Sequence, residues 1–141
     1  MLDVCRGVRP PFDPSRVVAE FAKLLKAYRC HSVTGDRHAG EWVREQFSKV
    51  GIDYRHSEMS KSELYLEALP LFTTGAVDLL DYQPLTTELM QLERRTARSG
   101  RDSVDHPSQG HDDHANSCCG CLALLSSAAS QRIILVELEG Y

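Results

Sequence analysis

Acidic residues stand at two places in this sequence where divalent-metal chemistry would want them. Gly35-Asp36-Arg37 puts an aspartate at the carboxyl end of an expected strand, the edge where open α/β sheets bind ligands. Gly110-His111-Asp112-Asp113-His114 puts two more at the amino end of an expected helix. There the free backbone amides and the helix dipole favour anionic side chains. Carboxylates converging from Asp36, Asp112 and Asp113 would suit hard cations such as Mg2+ or Mn2+. A pair of such ions can activate water and stabilise the leaving oxygen of a phosphodiester. Each cluster also has a plain structural use, the first as a turn residue and the second as helix-capping groups.

Arg94, Arg95, Arg98 and Arg101 form the densest basic stretch. They can follow nucleic-acid phosphates, or simply solvate a helix end and the loop after it. Lys61 can likewise approach a phosphate, or be a surface lysine in a first helical turn. A different chemistry is offered by His106, His111, His114, Cys118, Cys119 and Cys121, since imidazole and thiolate are zinc's preferred donors. Their spacing lacks a C-x2-C pair followed by H-x3–5-H, and adjacent Cys118 and Cys119 would face different sides of a helix. Buried packing of these small side chains is the better reading.

The whole chain bounds these options. Its 141 residues suit one domain, and 42% hydrophobic with 26% charged residues is ordinary for a globular protein. A net charge of −4 gives no general positive field for coating nucleic acid, yet leaves room for a metal-dependent nuclease with a local basic track. The apolar runs Leu122–Leu125 and Ile133–Val136 fall far short of the ~20 residues of a membrane span. The start lacks the apolar run of a secretory signal, and the five cysteines read as reduced thiols of a cytosolic compartment.

The elements that must position these groups alternate. Residues 1–6 read as a strand. Asp13-Pro14 then opens a helix with Val17, Phe21, Leu24, Leu25 and Tyr28 on one face. A strand over 30–35 leads to a helix over about 38–50, and Ile52 and Tyr54 alternate as the next strand. The Ser60–Glu63 capping box opens a helix to about Thr74, interrupted at Pro70. Residues 77–80 read as a strand, and Pro84 opens a short helix with Leu85, Leu89 and Leu92. Residues 96–110 are a loop or exposed hairpin, and a small-residue helix follows from about Asp112 to Ala128. Such alternation predicts an α/β layered domain with parallel strand pairs.

Four runs in order then acquire a further meaning: Gly35-Asp36-Arg37-His38-Ala39-Gly40-Glu41-Trp42, Ser60-Lys61-Ser62-Glu63-Leu64-Tyr65, Leu92-Glu93-Arg94-Arg95-Thr96-Ala97-Arg98, and His111-Asp112-Asp113-His114-Ala115-Asn116. Over roughly residues 2–126 the sequence resembles the C-terminal nuclease domain of large terminase subunits from tailed bacteriophages and prophages. The resemblance implies a ribonuclease H-like layered sheet with flanking helices. It also implies two-metal cleavage of concatemeric viral DNA during packaging, with Mg2+ or Mn2+ held by Asp36 and by Asp112 or Asp113. It places the arginine stretch near the metals. Implied partners are double-stranded DNA, the terminase ATPase domain, the small terminase subunit and the portal, in the cytoplasm of a bacterial host and without a membrane.

The resemblance also has a gap. The family domain opens with two strands upstream of the point matched by residue 1, and the first of them carries a metal aspartate that neither Asp3 nor Asp13 matches. The expectation is therefore an N-terminally truncated nuclease domain over 1–128 with an incomplete two-ion site. A tail follows over 129–141, whose Ile133–Val136 run would suit a vacant sheet position. The alternatives are a catalytically incompetent remnant, acting as an interaction module or without function, and a small zinc-binding module.

Overall fold

Asp13 ends irregular chain by accepting the Ser15 amide at 2.9 Å on its side chain, and Pro14 supplies the preset φ of a first helical residue. Helix α1 (Pro14–Ala27) follows and buries Val17, Val18, Phe21, Ala22 and Leu25. This is the computed structural model of the chain, and it describes residues 1–127. The expected tail over 129–141, with its Ile133–Val136 strand, lies outside the described residues.

The next three elements form a parallel unit. Strand β1 (Ser32–Gly35), helix α2 (Glu41–Lys49) and strand β2 (Asp53–His56) succeed one another, and β1 pairs with β2 from Ser32↔Asp53 to Gly35↔His56. Parallel neighbours require a crossover, and α2 is that crossover. Val33 and Tyr54 point inward and join Phe21, Leu25, Val43, Phe47 and Ile52 in one apolar core. That core fixes where β1 ends, and therefore where Asp36 stands.

A second packed group sets the other half of the molecule. Helix α3 (Lys61–Thr73) starts in the expected capping box, with Ser60 N–H donating to Glu63 Oε2 at 2.7 Å and Glu63 N–H to Ser60 Oγ at 3.4 Å. The Ser60 hydroxyl and amide hold the Glu63 carboxyl below its ordinary range. Tyr65 and Ala68 of α3 pack on Ala115 and Cys119 of α5 (Asp113–Ser127). Helix α4 (Gln83–Gln91) adds Leu89, with Leu92 just beyond it, to the rim of this cluster. Pro70 lies inside α3, and its carbonyl accepts the hydroxyls of Thr73 and Thr74.

Strands β3 (Glu93–Thr96) and β4 (Asp102–Asp105) form an antiparallel hairpin, closed at its tip by Gly100 at φ 77°. Positive φ is the conformation glycine adopts without penalty. Of the two options left open for 96–110, the hairpin is the one observed, and it begins early enough to include Arg94 and Arg95. Those two arginines are thus strand residues rather than the end of a helix, because Leu92 is already extended at ψ 134°.

Two expected strands are absent. Residues 1–6 and 77–80 are irregular, although Leu2 N–H donates to Asp78 O at 2.8 Å. A strand needs a repeating ladder of such bonds, and β-type patterning does not supply the partner. The described residues thus form a mixed α/β fold of five helices and two two-stranded sheets. No helix among them is long and apolar enough to cross a membrane.

Candidate metal centre

A cleft of about 650 Å³ opens where the carboxyl end of β1, the start of α3, the hairpin and the first turns of α5 meet. Asp36, Lys61, Arg95, Asp112 and Asp113 all line it. The two acidic places separated by most of the sequence therefore share one cavity. Arg94, Arg98 and Arg101 are not among its walls. Arg94 pairs with Asp102 across the hairpin, and Arg95 with Glu93 at 2.6 Å. Arg98 and Arg101 are exposed at the hairpin turn.

Asp112 is the buried acid, at 7% exposure. Its Oδ2 accepts the Tyr65 hydroxyl at 2.7 Å and lies 3.0 Å from Lys61 Nζ. The same ammonium is 2.7 Å from Asp105 Oδ1, so one lysine spans two carboxylates. Burial alone would depress the Lys61 pKa, but hydrogen bonds and charge from Asp105 and Asp112 outweigh it and raise the value. In return Lys61, ahead of all other causes, holds the Asp105 carboxyl below its usual range.

His106 completes the arrangement. Its Nε2 is 3.8 Å from Asp105 Oδ1 and 3.8 Å from Asp112 Oδ1. Its Nδ1 lies 2.7 Å from the carbonyl oxygen of Pro107. A carbonyl only accepts, so Nδ1 carries the proton, and in the neutral ring the Nε2 lone pair points toward the two acids. Lone pairs facing carboxylate oxygens repel unless a cation or proton lies between them. One ligand atom from each of Asp105, His106 and Asp112 lies within 4.8 Å of the others. Two carboxylate oxygens with one imidazole suit Mn2+, Co2+ or Mg2+, and the Nδ1–H···O=C bond is the usual support of a ligating histidine. The residues present fit a divalent ion.

Asp36 and Asp113 stand beside this group rather than in it. Asp36 is exposed, and its Oδ1 accepts the His38 amide at 2.9 Å. The Arg37 guanidinium donates to the carbonyls of Ser57 and Glu58, tying the turn after β1 to the approach to α3. Burial first, then the charges of Glu88 and Asp112, push the Asp113 carboxyl upward. Tyr54 steadies the turn from below by donating its hydroxyl to Asp36 O at 3.4 Å.

Gly35 is required by that tyrosine. A Cβ there would lie 2.2 Å from the Tyr54 hydroxyl oxygen and 2.7 Å from the adjoining ring carbon. The ring cannot yield easily, because it is buried and stacked on Phe47 with centroids 5.5 Å apart. Gly35→Ala is expected to cost about 1–3 kcal/mol, the usual penalty of overpacking, and to displace Asp36. Urea unfolding measures the first effect, and the Asp36 amide shift reports the second. An unchanged midpoint would mean that Tyr54 has another place to go.

Sequence reasoning missed Asp105 and Glu88, and it put His106 with other donors. Asp105 lies in a stretch that reads as polar loop, and His106 stands among the expected zinc donors rather than with acids, although an acid and a histidine just ahead of Pro107 were the available signal. Glu88 lies on the short helix opened by Pro84, where only Leu85, Leu89 and Leu92 had a pattern to read. It reaches α5, where Oε1 is 2.7 Å from His114 Nδ1 and Oε2 accepts the Ala115 amide at 2.9 Å. The Tyr82 hydroxyl lies 3.4 Å from the other nitrogen of His114.

The zinc grouping does not form. Among the described residues, the group that brings three such donors together is Asp105, His106 and Asp112. Cys118, Cys119 and Cys121 are buried and form no disulfide. Burial pushes the Cys118 thiol up to about 12 and that of Cys119 higher still, away from the thiolate that zinc binds.

The fold has counterparts of known structure. The chain is similar to the large terminase nuclease of the thermophilic phage G20c, with a TM-score of 0.64 and 25% identity over 82% of this chain and 62% of that one. The same nuclease with bound cobalt and with bound magnesium matches at a TM-score of 0.65 and 22% identity, over 79% of this chain and 62% of theirs. The architecture is thus that of a terminase nuclease, and the chain spans 62% of the length of those structures. No family model matches the sequence, and no curated protein matches it.

Proposed function

We propose that this chain is a ribonuclease H-like nuclease domain, or part of one, of a large terminase subunit, cutting double-stranded viral DNA with Mg2+ or Mn2+. The observation that carries the reading is the convergence of Asp36, Asp105, Asp112 and Asp113 on one cleft, with His106 grouped with Asp105 and Asp112, within a fold shared with a nuclease whose structure has bound magnesium. Residues 1–128 would form the nuclease unit and 129–141 its tail.

Asp105, His106 and Asp112 would hold one divalent ion, which would supply a more acidic water and a Lewis acid for the phosphoryl oxygen. Asp36, lining the same cleft and open to solvent, would contribute the second carboxylate region of a two-ion arrangement. Asp113 is the acid best suited to keep or accept a proton beside it, because burial already opposes its ionisation. Arg95 at the rim, with Arg98 and Arg101 at the hairpin tip and Arg94 on the same arm, would contact phosphates. Lys61 would do so once freed from its acids. Such contacts position the duplex without reading its sequence. The terminase ATPase domain, the small subunit and the portal are the partners this role requires.

The test is plasmid nicking in Mn2+, with a chelator control and the Asp36→Asn and Asp112→Asn variants. Metal-dependent nicking by the parent that both variants lose is the expected result. Nicking that survives in both would remove these residues from the site. A parent that binds DNA but never nicks it would replace the enzyme with a DNA-interaction module.

A further inference from the structure

The position of Lys61 has a consequence for how a metal ion enters. Its ammonium lies 2.7 Å from Asp105 and 3.0 Å from Asp112, the two acids of the candidate ligand group. Ligand oxygens sit about 2.0–2.1 Å from Mg2+, so an ion bound between these carboxylates would meet the ammonium in the same space and with the same sign of charge. Both cannot stay. Lysine is a compact charge on a flexible stem, and this one is 35% exposed and lines the cleft, so it has somewhere to go. The backbone of Lys61 is meanwhile fixed by the Ser60–Glu63 capping box one residue before it.

The geometry points to Lys61 as a built-in stand-in for the divalent ion, neutralising Asp105 and Asp112 until a metal displaces it into the cleft. This rests on the metal reading proposed above and adds a competition that the reading alone does not contain. The exchange balances charge: one ammonium leaves the two carboxylates as a dication arrives, and no bond is made or broken covalently. The displaced side chain then faces the part of the cleft where a phosphate would lie, so occupation of the metal centre would prepare a cation for the substrate. The arrangement also favours dications, since a monovalent ion offers the carboxylates no more charge than the ammonium it must expel.

Two measurements test this on the intact chain. Calorimetric titration with Mg2+ compares the parent with Lys61→Gln and Asp112→Asn. Freeing the acids from two charge-assisted hydrogen bonds should tighten Mg2+ binding by about tenfold or more in Lys61→Gln. In the parent, the Nζ resonance of Lys61 in a 15N-labelled sample should move to the position of a solvated lysine as Mg2+ saturates, and this readout needs no variant to fold. Tighter binding by Lys61→Gln together with the Nζ shift bears the proposal out. Equal or weaker binding by Lys61→Gln, or an Nζ signal that Mg2+ leaves unmoved, overturns it while Asp112-dependent binding by the parent keeps the metal reading intact. Absence of Mg2+ binding in every form overturns both.

Discussion

Asp112→Asn should fold as the parent does and lose divalent-metal binding by at least about 100-fold, roughly 2.7 kcal/mol. The two oxygens of Asp112 have different duties, which makes this substitution informative. Oδ2 takes the Tyr65 hydroxyl and the Lys61 ammonium, while Oδ1 faces His106. An asparagine with its carbonyl at the Oδ2 position keeps both of the first two contacts. It places an amide NH2 where the ion would look for an oxygen. Thermal unfolding of the variant should therefore stay within a few degrees of the parent, while Mn2+ or Mg2+ calorimetry goes flat. Retained affinity would move the metal away from Asp112. A large loss of stability would mean that the charge on Asp112, not its shape, holds α3 to α5.

Glu88→Ala should be the costliest polar substitution in the described chain, at about 3 kcal/mol. One carboxylate holds His114 at 2.7 Å and the Ala115 amide at 2.9 Å, with side-chain exposures of 12% for Glu88 and 10% for His114. The first amides of a helix have no partner within it, and here a different helix provides one. Removing the carboxylate takes this acceptor from two buried donors, at about 1–3 kcal/mol each. Glu88→Gln keeps one acceptor for the two donors and should cost less. Urea unfolding at neutral pH orders the three proteins. If alanine and glutamine cost the same, the Ala115 bond contributes little and His114 carries the effect. Because Asp112 and Asp113 open α5, the alanine variant should also weaken metal binding without touching a ligand.

These two residues differ in how visible they were. Asp112 and Asp113 announced themselves, since acids at a helix start have a local reason to be there. Asp36 did as well, at a strand end marked by Gly35. The helices and the β1–β2 pair followed from capping residues and apolar spacing, which are properties of neighbouring residues. Glu88 and Asp105 had no such signature, because each is explained by a group far along the chain: His114 for the first and Lys61 for the second. The false strands at 1–6 and 77–80 fail for the same reason. Apolar content shows that a segment is suited to a sheet, but the ladder of partners that makes it a strand is not a local property. Lys61 was visible as a cation, with a phosphate or solvent as its expected partner. That it bridges two acids was invisible until α3, β4 and α5 were placed together.

The small residues along α5 acquire another meaning from this. Ala115 and Cys119 meet Ala68 and Tyr65 of α3, and short side chains let two helices approach closely. Lys61 begins α3 and Asp112 immediately precedes α5, so the spacing of those helices is also the spacing of the groups at their ends. The helix contact works as a gauge for the site. A methylene added at Ala68, about two helical turns along α3 from Lys61, would widen the gap between Asp112 and its neighbours. Ion-size preference, judged by Mg2+ against the larger Ca2+, would then be tuned from the hydrophobic interior, with every ligand left in place.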